Sequence, residues 1–289
     1  KAVREAKVGI AREGGGREGG ALTFGAAWVE LRAAMELEVA AGRRSAATVR
    51  GYDYCYRLLA DWEKTPLAKL SDHTPEVRKR HRELSATSGP SSANGAMVFL
   101  RRVYNYARKR RLDPKLPHFN PVDSIDFNPQ QRRDTAMGAS ELAGWFKKLR
   151  ALPNPVRQEF HLFCLLSGSR PGALTVARWE HLDMKRRVLH IPKPKGGERR
   201  AFDIPLSRAM IACLARVRRA GRMVNAVNAA EWIFPGEGAR SHRADFAGHI
   251  VAYQEDREAL PKFGGDLRQT YKTLSPEAGL SKTDVMILM

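Results

Sequence analysis

Three cationic side chains stand where a break in the local pattern could aim them at one target. Arg170 lies in "LLSGSRPGALTVARWEHLD", where an apolar helical run stops at Ser-Gly-Ser and restarts. Lys195 sits at the tip of "KPKGGERR", a Lys- and Gly-rich hairpin expected to be mobile and able to reach a groove. Arg268 opens "DLRQTYKTL" behind a Gly-Gly pair, and Leu267, Tyr271 and Leu274 follow at helical spacing to anchor it to a core. Two guanidinium forks and an ammonium from three separate elements suit a phosphate. The forks can hold nonbridging oxygens and neutralise charge as a phosphodiester becomes pentacoordinate. A lysine held against a leaving alkoxide can protonate it. None of these roles calls for a metal, and no acidic or histidine cluster offers one a site. Taken singly, each residue reads as a solvated charge before it reads as a catalyst. Tyr271 reads as a core residue rather than a nucleophile.

The rest of the composition agrees with a polyanionic partner. The 289 residues hold 50 Lys and Arg against 31 Asp and Glu, a net charge of +19. Such an excess attracts nucleic acid. The hydrophobic fraction of 43% is enough to fill real cores and excludes a disordered chain. Cys55, Cys164 and Cys213 lie far apart within apolar helical patterns, so they read as buried thiols in a reducing compartment, without zinc. No apolar run is long enough to span a membrane and no signal peptide is evident. The expected location is cytoplasmic, on the nucleoid.

The elements that must position the three cations are mostly helical. Residues 1–21 begin as a short basic helix and dissolve into glycine, a tail or linker. Four helical patterns follow over residues 22–114. Phe24, Ala27, Trp28, Leu31 and Met35 carry the first, and Ser45 caps a second whose face is Val49, Tyr52, Tyr56, Leu59 and Trp62. Pro75 suits the first turn of the third. Met97, Leu100, Tyr104 and Ala107 carry the fourth. Residues 115–134, rich in proline, are expected to be the interdomain linker. Residues 135–289 then form a second domain. Its helices are interrupted by two short strands, 187–192 and 200–205, joined by the Lys195 hairpin. The fold class is mainly α with a small antiparallel β-sheet.

The segment "LLSGSRPGALTVARWEHLDMKRRVLHIPKPKGGERRAFDIPLS", followed some sixty residues later by "GGDLRQTYKTLSPEAGLS", resembles the tyrosine recombinase (phage integrase) family. Residues 22–112 are similar to that family's helical core-binding domain, above all in "SAATVRGYDYCYRLLADWE" and "SSANGAMVFLRRVYNYA". The resemblance implies a core-binding (SAM-like) domain and a catalytic domain closing as a C-shaped clamp on double-stranded DNA. It implies that Arg170 and Arg268 are the two catalytic arginines and Lys195 the hairpin lysine, with Lys193 as its alternate. The implied reaction is attack by a tyrosine on a phosphodiester, giving a 3′-phosphotyrosyl link and a free 5′-hydroxyl, with no cofactor. Implied partners are a homotetramer on two DNA sites and an accessory DNA-bending or directionality protein. The implied role is DNA integration or excision of a mobile element.

The chain departs from the family pattern at three places. Gly265 stands where a His three residues before the second arginine is usual, and Ala173 stands where an acidic residue follows the first. The nearest histidine in sequence is His249. The nucleophilic tyrosine of the family lies beyond the second box, and here it is expected after Met289. Ser281 and Asp284 read as the capped start of a further helix, with Val285, Leu288 and Met289 on its apolar side. The alternative is a recombinase-derived DNA-binding protein that has lost catalysis. An RNA-binding or structural helical protein would explain the charge but not the order of the boxes. Candidate DNA contacts are Arg43, Arg44 and Ser45 at one helix start, Ser92 and Asn94 at another, and Lys193 and Arg199 on the hairpin.

Overall fold

The computed structural model describes residues 21–130, 134–238, 248–250 and 256–281. The expected basic tail and glycine linker, Tyr253 and the helix expected from Ser281 onward lie outside them, apart from Ser281 itself. The chain divides into two compact units, Lys1–Arg132 and Arg133–Met289.

The first unit is helical. Helices α1 (Phe24–Ala40), α2 (Ala46–Leu58), α3 (Leu67–Asp72), α4 (Thr74–Thr87) and α5 (Pro90–Arg110) surround one apolar core. Side-chain caps start α1 and α2: Thr23 accepts from the Ala26 amide and Ser45 from the Ala47 amide. The apolar stripe of α1 is buried at all five expected positions, and α5 buries Met97, Leu100, Tyr104 and Ala107 completely. Phe99, Trp28, Phe24 and Tyr56 meet edge-on or stacked at its centre. Helix α3, a short element behind Pro66, carries too few turns to show a period in sequence. Part of the proline-rich stretch belongs to this core, because Leu116, Val122 and Ile125 are buried in it.

The second unit packs α6 (Leu142–Arg150), α7 (Pro155–Ser167), the single turn α8 (Pro171–Leu174), α9 (Arg208–Val224), α10 (Ala226–Glu231) and α11 (Gly265–Glu277) with a small sheet. The sheet is antiparallel, in the order β1 (Leu182–Asp183), β2 (Val188–Ile191), β3 (Phe202–Pro205). Strand β1 was not among the two expected strands; its two residues are too few to show alternation. Leu189, Ile191 and Ile204 face the core. Helix α7 is the spine of this unit, with Phe160, Phe163 and Cys164 buried. Asn154 caps it by accepting from the Val156 and Arg157 amides at 2.8 and 3.2 Å, and Pro155 occupies its first turn. All three cysteines are unpaired; Cys164 and Cys213 are buried and Cys55 half-buried. Burial pushes all three thiols up from their ordinary value. Among the described residues no helix is long and apolar enough to cross a membrane.

Candidate active site

Helix α7 ends where Gly168 turns left-handed, at φ +59°, with its amide donating to the Cys164 carbonyl. The chain then runs extended through Arg170, whose side chain is exposed, and re-enters a helix at Pro171. Gly168 is required here for two reasons. Its φ is one that L side chains rarely adopt, and a Cβ would lie 2.4 Å from the Tyr271 ring.

Helix α11 supplies the other half. Gly264, at φ +58°, precedes it, and Gly265 is its first residue. Leu267 and Thr270 are buried, and the Thr270 hydroxyl accepts the Met137 amide at 2.9 Å. These anchors bring Tyr271 against Gly168, and one turn earlier the Arg268 guanidinium donates to the Gly168 carbonyl at 2.6 Å. Arg268 is half-buried. Burial, and then the charge of Arg170, lowers its affinity for a proton from the ordinary guanidinium value. The start of α11 adds the positive end of a helix dipole. The Arg268 guanidinium and the start of α11 therefore meet at one backbone turn, with the charge of Arg170 near enough to be felt, an arrangement that can hold a phosphate.

Lys195 lies on the β2–β3 hairpin, exposed, as the second residue of a turn closed by the Gly197 amide on the Pro194 carbonyl at 3.0 Å. Gly196, with φ +111°, is the third residue of that turn. Lys193 pairs with Glu198 at 3.4 Å, and Arg199 is exposed in the same loop. Arg170 and Arg268 flank the same turn, Arg268 through its bond to the Gly168 carbonyl; both lysines stand on the hairpin.

In the first unit Arg43 is exposed and Arg44 pairs with Glu38 at 2.5 Å. Ser45 uses its side chain as the α2 cap, and Ser92 is half-buried, accepting from the Tyr54 hydroxyl at 3.5 Å. Asn94 is corrected. It is buried, its amide donates to the Asn128 carbonyl at 2.9 Å, and its oxygen accepts the Asn128 amide at 3.0 Å beside His81. Those groups are engaged inside the unit, so Asn94 is no longer a candidate DNA contact. A residue not singled out from the sequence is Gly168, whose carbonyl accepts from Arg268. Its signal was present as the glycine just past an apolar helix. Gly265 is exposed and a Cβ there would meet open space within 4 Å; Ala173 is buried. Among the described residues no group of three His, Cys, Asp or Glu side chains is arranged to hold a metal ion.

With this geometry in view, the fold has known counterparts. No protein-family model matches the chain. Among solved structures, a lambda integrase tetramer bound to a Holliday junction superposes with a TM-score of 0.69 at 15% identity, covering 93% of this chain and 74% of that one. The Tn1549 transposon integrase in complex with transposon right end DNA gives a TM-score of 0.66 at 13% identity, covering 93% and 91%. The chain therefore has the integrase fold. In sequence it is 34% identical over 93 residues to the shufflon-specific DNA recombinase of Escherichia coli. That match spans 31% of this chain and 23% of the recombinase. The chain thus resembles the tyrosine recombinases in fold over most of its length and in sequence over those 93 residues.

Proposed function

We propose that this chain acts in site-specific DNA recombination, integrating or excising a mobile element by metal-independent strand cleavage and rejoining. The observation that carries the reading is the Arg268 guanidinium bonded to the Gly168 carbonyl, two residues before Arg170 and near enough to feel that arginine's charge. In this reading the two guanidiniums grip the nonbridging oxygens of a scissile phosphodiester and stabilise the extra charge of the pentacoordinate state. A tyrosine hydroxyl attacks phosphorus, loses its proton to solvent and forms a 3′-phosphotyrosyl link. The P–O5′ bond breaks, and Lys195 gives its proton to the leaving 5′-oxygen. A second strand then reverses the step. Arg43, Arg44, Ser45, Ser92, Lys193 and Arg199 are the candidate DNA contacts. The DNA-bound lambda and Tn1549 integrases support DNA as the substrate, and the lambda tetramer on a Holliday junction supports assembly of four copies.

The test is an SDS-resistant protein–DNA adduct, sought with the full-length protein and DNA flanking its own coding region. The unaltered protein forms it. Arg170→Ala and Arg268→Ala each lower its yield on the order of 10³-fold, as loss of a transition-state donor does, while DNA binding persists. Normal recombination by either variant would sink the assignment. A second reading, a DNA-binding protein that has lost catalysis, is favoured by Gly265, which offers no side chain to the phosphate. It gives binding that weakens steeply with salt and no adduct.

A further inference from the structure

Lys195 can serve as the acid only if its loop is held in one place, and the loop itself is built as a stiff unit. Three turn hydrogen bonds close it: Gly197 to Pro194 at 3.0 Å, Arg200 to Gly197 at 3.1 Å and Ala201 to Glu198 at 2.9 Å. The Arg200 side chain packs over Gly196, where a Cβ would lie 2.7 Å from Cδ. A stiff loop is aimed by the strand pairs at its base. In the β2–β3 register Val188 faces Pro205, Leu189 faces Ile204 and Ile191 faces Phe202, all without charge. The remaining pair is His190 opposite Asp203, one step below the loop, with Nδ1 and Oδ1 2.7 Å apart. Arg186 reaches the same carboxylate at 3.8 Å, and His181 stands edge-on to the His190 ring. Both members are roughly half-exposed, on the face of the sheet away from the core. The core therefore does not need them.

We infer that the cross-strand pair His190–Asp203 is a positioning device that aims the Lys195 loop at the scissile phosphate. The inference rests on the recombinase reading. Loss of the pair leaves the strands joined by their backbone bonds and their apolar face, but lets the base of the loop twist. A displacement of about 1 Å in a catalytic group costs about 10²-fold in rate.

The experiment compares two DNA substrates with the full-length protein. One is ordinary DNA. The other carries sulfur in place of the bridging 5′-oxygen, so that the P–S bond breaks and a thiolate leaves without needing a proton. His190→Gln and Asp203→Asn are expected to slow adduct formation on ordinary DNA about 10- to 100-fold, with DNA affinity little changed. On the sulfur substrate both variants return to the unaltered rate, as Lys195→Ala does. Exchanging the two residues restores activity on ordinary DNA. The inference is overturned if the variants match the unaltered protein on ordinary DNA, or if they are slowed equally on both substrates. Failure of Lys195→Ala to recover removes the acid, and the inference with it. If the unaltered protein forms no adduct on either substrate, the recombinase reading itself falls.

Discussion

The first unit buries its polar groups as amides, hydroxyls and one imidazole. Asn94, Asn128 and His81 bond to one another, and the Tyr104 hydroxyl bonds to Ser71 at 2.9 Å and to the Pro117 carbonyl at 2.7 Å. The second unit buries carboxylates as well. Glu159, 3% exposed, takes both donors of Arg216 at 2.8 and 2.9 Å and one of Arg150 at 2.8 Å. Asp256 takes Arg157 at 2.9 Å and His161 at 2.7 Å. The unit that positions the arginine pair is thus held by charge-assisted bonds between helices: Glu159 joins α7 to α6 and α9, and Asp256 ties the approach to the second box to α7. One unit is built like a neutral bundle and the other like a wired frame.

Breaking the frame at its tightest point gives the largest effect. Gly168→Ala forces a side chain into a left-handed conformation and into the Tyr271 ring, and overpacking with backbone strain costs about 3 kcal/mol together. Amide hydrogen exchange should show faster opening in the second unit and an unchanged first unit. Equal loosening of both would end the comparison. Next comes Glu159→Gln, which removes the ionic part of three bonds. Its arginines are partly exposed and can rehydrate, so the cost is about 2 kcal/mol rather than that of a fully buried charge.

The same carboxylates set a pH dependence. Burial pushes Glu159 and Asp256 up, but the hydrogen bonds from Arg216 and Arg150, and from His161 and Arg157, outweigh it and hold both below the ordinary carboxylate range. A group whose folded value is depressed contributes stability above its unfolded value and loses it as pH falls through the folded one. Acidification below pH of about 4 should therefore loosen the second unit through these groups, and Glu159→Gln should flatten that part of the profile. Hydrogen exchange measured at several pH values checks both. In the first unit Asn94→Ala leaves Asn128 and His81 short of partners and costs about 1–2 kcal/mol. With Asn94 buried, DNA affinity measured where the variant is still folded should not change.

Periodicity made the first unit legible, because α1 and α5 bury apolar residues at helical spacing and nothing in their surroundings overrides it. The positions of Arg170 and Arg268 were legible for another reason: each follows within three residues a glycine at a helix boundary, Gly168 ending α7 and Gly265 opening α11. Asn94 was misread because a polar residue near a helix start looks the same whether it faces solvent or an interior amide; only Asn128, far along the chain, decides. Glu159 and Asp256 were invisible for the same cause. Their partners, Arg216 and Arg157, lie 57 and 99 residues away, and no local pattern encodes such a distance. Strand β1 was too short to alternate.

The smallest change to the frame bears most on the chemistry. Gly265 is the first residue of α11, its φ is not left-handed, and a Cβ there meets nothing within 4 Å. Gly265→His should therefore alter stability by no more than about 0.5 kcal/mol, with the entropy of the unfolded glycine slightly in the variant's favour. The new side chain would stand one turn before Arg268, where, on the recombinase reading, a donor could reach the scissile phosphate. A single such donor is worth about 10²–10³ in rate. Adduct formation by the full-length protein should rise by about that factor over the unaltered chain, with the melting temperature unmoved. A variant that is equally stable and no faster would place the limit elsewhere than at Gly265. If neither protein forms an adduct, the reading left is that of a DNA-binding protein without catalysis.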